Sequence, residues 1–351
     1  MKSAFFVFCA DYGRKKKREL VYFDGTGAWN RSRNFIRRFS KLASPKKPIL
    51  VTGSHASGST WVGSMIAHAP RIAYFHEPFN INLDRTFCKA RFDQWFTYIC
   101  HDNEDDYVMP FQDTLAYRFD LSAGIKESTT LKRFVKQTRT LAQFSWFKQM
   151  GYRTLIKDPI AIFSVEWLVE RFGFQPVILI RHPAAFAGSL KNNKWSHPFG
   201  HLASQPLLMR DYLSPFFEQI DHFSREEQDI TEQASLLWTM IHHVISIYKQ
   251  KHPDWIFARH EDLSTDPLGQ FRVIFDALDV PFGQRVVENI RYHTENEKNT
   301  MKHPKGFPDL RRDSIKNVKN WQSRLTKSEI TLVRERTGQV SSLFYTDADW
   351  E

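Results

Sequence analysis

Three cysteines in 351 residues, Cys9, Cys88 and Cys100, are too few and too irregularly spaced for a disulfide framework or a zinc site. Free thiols suit a reducing cytoplasm, and a cytoplasmic protein is the expectation. Long apolar runs are also missing. No stretch approaches the roughly 18 apolar residues of a membrane helix, and the early run "AFFVFCA" leads into positive charge instead of a cleavage site. There is no internal repeat and no low-complexity tract. Acids are scarce in one region only. Residues 1–47 carry thirteen of the 49 Lys and Arg against three acids, Asp11, Glu19 and Asp24, so the rest of the chain balances at 36 against 36 and the net +10 sits in this leader. With "GRKKKR" at 13–18 close to Phe5, Phe6 and Phe8, the leader reads as a solvated basic tail or as a peripheral contact for an anionic membrane or acidic polymer. No nucleic-acid-binding module accompanies it, so no nucleic-acid partner is expected.

With 42% hydrophobic residues the chain can bury a large core. Residues 1–47 read as a weakly structured leader and 48–351 as one domain with insertions near 80–128 and 196–226. "ILVT" at 49–52 reads as a buried strand, followed by a Gly/Ser loop, a helix over about 59–68 and a second strand, "IAYF", at 72–75. That order is a βαβ unit of a parallel sheet. Further strands are expected at "TLIK" (154–157), "PVILIR" (176–181) and "WIFAR" (255–259), with helices over 130–149, 160–172, 183–193, 231–251, 266–278 and 284–292 between and after them. The acidic cluster "DNEDD" at 102–106 reads as part of a surface insertion, and Thr326 with Glu329 as a capping box.

The loop "VTGSHASGSTW" has the glycines of a phosphate-binding turn but Ser59 where a triphosphate-binding loop carries lysine. A glycine-rich turn between strand and helix aims backbone N–H groups and the positive helix end at one point, and Ser57, Ser59 and Thr60 add hydroxyls there. Without the lysine, and with no evident acidic strand to hold magnesium, the loop suits an anion of lower charge than a nucleoside triphosphate.

"SGSTW" at 57–61 resembles the 5′-phosphosulfate loop of the PAPS-dependent sulfotransferases (PAPS, 3′-phosphoadenosine 5′-phosphosulfate; PAP, the product that has lost the sulfuryl group). "LIRHPAAFAGSL" repeats that family's 3′-phosphate motif, a strand ending in Arg181 and a helix carrying Ser189 eight residues on. "RRDSIKNVKNWQSRLT" is similar to its C-terminal closing segment, with Trp321 and Thr326 in place but the Arg-Lys-Gly triplet absent, so that Arg312 or Lys316 stands in for its basic residue. The resemblance covers about 49–333. It implies an α/β fold, a parallel β-sheet flanked by helices in the manner of a P-loop nucleotide kinase, of the carbohydrate-type or bacterial branch. It also implies PAPS as sulfuryl donor, no metal, and a donor site formed by Ala56, Ser57, Gly58, Ser59, Thr60, Trp61, Arg181, Ser189 and the C-terminal basic residue.

The implied reaction is in-line transfer of a sulfuryl group to a hydroxyl before an amine, with a small molecule or carbohydrate as acceptor, and it needs a cation and a base. Glu77 in "YFHEPF" is the base the resemblance implies, with Asp158 in reserve, and Lys157 is the cation. Along an extended segment His76 and Glu77 are expected to face opposite sides. One departure stands out: Ala56 occupies the place where active relatives carry Lys or Arg. Protonated His55 beside it is a candidate replacement. The alternatives are a PAPS- or PAP-binding protein with little or no catalysis, and a small-molecule kinase with a degenerate loop. If the missing cation limits the reaction, Ala56→Arg will raise turnover, by up to about 100-fold; an unchanged rate in a folded variant would refute that account.

Overall fold

The computed structural model describes residues 46–82, 88–118, 131–294 and 318–351, with side chains from residue 138 onward in the third segment. The leader up to residue 45, Arg312 and Lys316 lie outside the described residues. Five strands form one parallel sheet: β1 (Ile49–Gly53), β2 (Ile72–His76), β3 (Arg153–Lys157), β4 (Gln175–Ile180) and β5 (Ile256–Arg259), in the order β2-β3-β1-β4-β5. This is the α/β class expected from the strand runs.

The runs are apolar on both faces because both faces are covered. Leu50, Ala73, Phe75, Ile156, Ile178 and Ile180 join the larger core, whereas Ile49, Val51, Ile72, Tyr74, Leu155, Val177 and Leu179 join the smaller one on the other side. The smaller core is closed by α1 (Ser59–Ala67), which supplies Val62, Met65 and Ile66, and by a later helix carrying Phe271, Ile274 and Phe275. The larger core is rich in aromatic side chains. In it α5 (Pro183–Asn193), α7 (Ile230–Lys251) and a C-terminal helix pack together, burying Phe186, Trp238 and Tyr248. Between these come α2 (Asp105–Leu115), α3 (Leu131–Gln149), α4 (Val165–Phe172) and α6 (Phe217–Arg225); after β5 come α8 (His260–Thr265), α9 (Pro267–Ala277), α10 (Gln284–Thr294), α11 (Trp321–Arg324) and α12 (Lys327–Ser341). Asp266 caps α9 by accepting from Gly269 N, and the box of Thr326 and Glu329 opens α12.

Two local readings need correction. "DNEDD" is not wholly a surface feature: Glu104 is 6% exposed and accepts from Trp167 Nε1 at 2.7 Å and Arg171 Nε at 2.9 Å, while Asp105 and Asp106 occupy the first turn of α2, where the helix dipole favours acids. The expected 160–172 helix divides into a 3₁₀ turn over Pro159–Ser164, opened by Asp158 accepting from Ile160 N, and then α4; Ser164 Oγ at the junction is tied to Thr97 O and Ile99 N. The 196–226 insertion is mostly helical from Gly200 to Arg225.

The β-order sets the site. The chain leaves β1 toward β2 on one side, while β4 leads to β5 on the other, so a crevice opens between the carboxyl ends of β1 and β4, the usual ligand position in such sheets.

Burial holds several imidazoles far below their ordinary 6.5: His182, His197 and His242 at about 3, His55 and His68 at about 4. Between those values and 6.5 the unfolded chain binds more protons, so stability falls as pH drops below 6.5. Each group contributes a slope of up to about 1.4 kcal/mol per pH unit. Asp158 and Glu261, raised by burial, act in the opposite sense but are fewer. Thermal melts from pH 7.5 to 5 are expected to show a steadily falling midpoint; a flat profile would contradict the burial of these rings.

Candidate active site

The loop after β1 turns through two left-handed residues, Ala56 at φ 53° and Gly58 at φ 91°. A Cβ on Gly58 would stand 2.6 Å from His260 Nδ1, so no larger residue fits. No side chain caps α1, which leaves its first-turn N–H groups without intrahelical partners. Under the loop, Thr52 Oγ1, Ser54 Oγ and Ser57 Oγ are buried without a hydrogen-bond partner. An unpartnered buried hydroxyl costs about 1–3 kcal/mol, and a helix start with open N–H groups is the kind of place where anions bind. Ser59 is buried and Thr60 half-buried. Trp61 packs edge-on against Phe271 at 5.2 Å and His260 at 6.0 Å, on the border of the smaller core.

Lys157, at the end of β3, is 1% exposed and donates to Glu77 Oε1 at 2.5 Å. The β2–β3 register sets His76 opposite Lys157, and the ladder continues one step further as Glu77 N donates to Lys157 O at 2.8 Å. Glu77 then takes φ 50°, which breaks strand alternation and brings its carboxylate to Lys157 while His76 Nε2 stays 3.6 Å from the same oxygen. The expectation that the two neighbours face opposite sides is therefore overturned. Burial opposes ionisation of Glu77, but Lys157, His76 and Asn80 together outweigh it and hold the carboxyl at about 2. Asn80 Nδ2 takes the other oxygen, Oε2, at 3.1 Å.

Asp158 has a different task. Its carboxylate accepts from Phe79 N at 2.7 Å and Ile160 N at 2.9 Å, a buried latch that closes the turn carrying Glu77. Burial and the nearby Glu77 push it up to about 7, with the two N–H donors pulling down.

At the end of β4, Arg181 Nη1 donates to the carbonyl of Ala56 across the crevice, and the carbonyl of Arg181 is held by Trp238 Nε1 at 2.8 Å. The next residue, His182, is stacked on Trp321 with centroids 5.3 Å apart, and its N–H donates to the buried Glu261. Ser189 on α5 donates to Ala185 O and accepts from Arg324 Nη1 at 3.4 Å. Arg324 was missed in the sequence. It lies inside "NWQSRLT", three residues after Trp321, and packing of Trp321 and Arg324 on Gly188 sets it against α5.

His55 lies on the loop with its ring edge-on to Phe96, centroids 5.1 Å apart, and 6.5 Å from Trp195. Burial above all, with Lys157 adding to it and Glu77 opposing, holds the imidazole at about 4. In the free chain the ring is therefore neutral near pH 7 and supplies no standing cation beside Ala56. Phe96, Trp195 and His197, the last 5.4 Å from Phe96, complete this side and were not expected from the sequence, because they come from two insertions without a motif. Among the described residues no group of His, Cys, Asp and Glu suits a metal ion.

No protein-family model and no curated protein matches the chain. Solved structures similar to it include the sulfotransferase domain from the curacin biosynthetic pathway (15% identity, 85% of this chain and 99% of that chain, TM-score 0.46) and that of the Synechococcus PCC 7002 olefin synthase (15%, 87% and 97%, TM-score 0.46). Mouse sulfotransferase SULT7A1 complexed with PAP is similar at 13% identity, covering 91% of each chain, with TM-score 0.40. Likenesses this distant carry no argument about the chemistry of this chain, which rests on its own residues.

Gly63 on α1 lies behind the ion pair. A Cβ there would meet Tyr74 Cε2 at 3.0 Å and Lys157 Cβ and Cγ at 3.2 Å. Gly63→Ala gains up to about 1 kcal/mol of helix propensity but crowds a packed site at a cost of about 1–3 kcal/mol. We expect net destabilisation in denaturant titrations; a stabilised variant would show that Lys157 is not held by this contact.

Proposed function

We propose that the chain transfers a sulfuryl group from PAPS to an acceptor hydroxyl. The observation that carries this reading is a buried ammonium–carboxylate pair, Lys157 and Glu77, beside an anion-binding loop that has no cation of its own. A second anion grip past β4 supports it. The unpartnered hydroxyls of Ser54 and Ser57 and the uncapped start of α1 fit a 5′-phosphosulfate, and Ser189 with Arg324, together with Arg181, fits a 3′-phosphate. In this reading Trp61, on α1 beside Phe271 and His260, is the ring assigned to border an adenine.

The reaction is an in-line displacement: the acceptor oxygen bonds to sulfur, the bond from sulfur to the 5′-phosphate breaks, and its electron pair leaves on that phosphate as PAP. Loop N–H groups and hydroxyls stabilise the departing charge, and Lys157 supplies the positive charge near the moving group. Glu77, paired with Lys157, and His55, electrostatically coupled to both, are the candidate groups to take the acceptor's proton. A carbohydrate hydroxyl is the acceptor class favoured by the sequence, and exposed Trp195 offers a face on which a sugar ring stacks. Ala56 supports a second reading, a PAPS- or PAP-binding protein with weak or no catalysis. Transfer of labelled sulfate from PAPS to any acceptor would eliminate it.

Calorimetric titration with PAP tests the donor site. Wild type is expected to bind. Arg324→Ala should weaken PAP by about 10- to 100-fold, the value of a charge-assisted hydrogen bond, and leave adenosine 5′-phosphosulfate, which has no 3′-phosphate, nearly unaffected. Equal losses for both ligands would sink the assignment of Arg324.

A further inference from the structure

Seven described residues other than glycine have left-handed backbone, and four of them surround this site: Ala56 beside His55, Glu77, Phe96, and Lys194 beside Trp195. Such conformations are unfavourable for residues with a Cβ and persist where the surroundings over-determine them, which happens most at functional sites. Phe96 itself, and Trp195 just after Lys194, the left-handed C-cap of α5, lie against the imidazole of His55. Its ring is walled by Phe96 and Trp195, and its ring nitrogens make no hydrogen bond among the described residues. Glu77, by contrast, has both oxygens engaged, one by Lys157 and one by Asn80.

Resting on the sulfuryl-transfer reading, we infer that His55 is the general base of the site, while Glu77 remains ionised as the counter-charge of Lys157. The acceptor oxygen forms the new bond to sulfur and its proton passes to a ring nitrogen of His55. The electron pair of the broken bond leaves on the 5′-phosphate, and the imidazolium then gives its proton to water. Glu77 favours the charged ring, Lys157 disfavours it, and His197 is the third titratable group coupled to it. In the free chain burial keeps the ring neutral, ready to accept a proton, and an anion on the loop raises its proton affinity toward the working range.

The test uses PAPS with two acceptor probes, 2-phenylethanol and 4-nitrophenol, the second already largely ionised at pH 8 and so in no need of a base. His55→Asn is expected to lower kcat on the alcohol by about 100-fold or more but on the phenol by less than about fivefold, with PAP affinity unchanged as the check on folding. Glu77→Gln, which disturbs Lys157, is expected to slow both acceptors. By NMR, the His55 ring should titrate below ordinary imidazole and move upward on PAP binding. Equal losses on the two acceptors, no loss on the alcohol, or an ordinary titration unmoved by PAP overturns the assignment. PAP binding without transfer to either probe overturns it too, whereas failure of wild type to bind PAP removes the nucleotide reading beneath it.

Discussion

Lys157 carries a charge that is 1% exposed, and an ammonium so far from water must be matched by a carboxylate at close range or lose its proton. Much of the local architecture answers that requirement. The β2–β3 register delivers the chain to the right height, and the bond from Glu77 N to Lys157 O extends the ladder by one residue. The left-handed turn at Glu77 then sends its carboxylate to the ammonium. Asp158 spends its own carboxylate on two backbone N–H groups to close that turn, and Gly63 leaves room for the lysine stem to pass α1. Breaking one side of such a pair leaves the other charge buried, so these contacts stand or fall together.

The opposite wall of the crevice is organised by aromatic packing more than by charge. Trp238 fixes the carbonyl of Arg181, Trp321 stacks on His182, and Tyr345 joins His182 in meeting Glu261. The acids that follow β5 are accordingly structural: Glu261 accepts from His182 N and Tyr345 OH, and Asp262 lies in the first turn of α8. Arg181 ties this wall to the loop through the carbonyl of Ala56, so the residue that lacks a cationic side chain still forms part of the junction between the two halves of the site.

The glycine- and serine-rich turn between β1 and α1 was legible because its signals are local. A buried apolar run, glycines at a turn and hydroxyls at a helix start need only a few consecutive residues to be recognised. The strands were legible because both sheet faces are covered, so each reads as a continuous apolar run. Misreadings arose where a partner lies far along the chain. Nothing near Glu104 announces Arg171, 67 residues away, so an acid in "DNEDD" looks solvent-facing until the fold pairs it. Protonated His55 was one candidate for the missing cation, because sequence reveals the residue type but not the apolar wall that lowers its proton affinity in the free chain. His76 and Glu77 were assigned to opposite sides by a rule that holds only for extended backbone, and the bend at Glu77 suspends it.

Residue order therefore dictated the parallel α/β class, the loop, the placement of Lys157 and Arg181 at strand ends, and the caps of the later helices. Folding settled which charges meet: Lys157 with Glu77 instead of Asp158, Arg324 with Ser189, and a neutral His55 between Phe96 and Trp195. The division has a physical cause. Strand, turn and cap preferences act over a few residues, whereas the ionisation and pairing of a buried group depend on everything within several ångströms, brought there from segments more than a hundred residues apart.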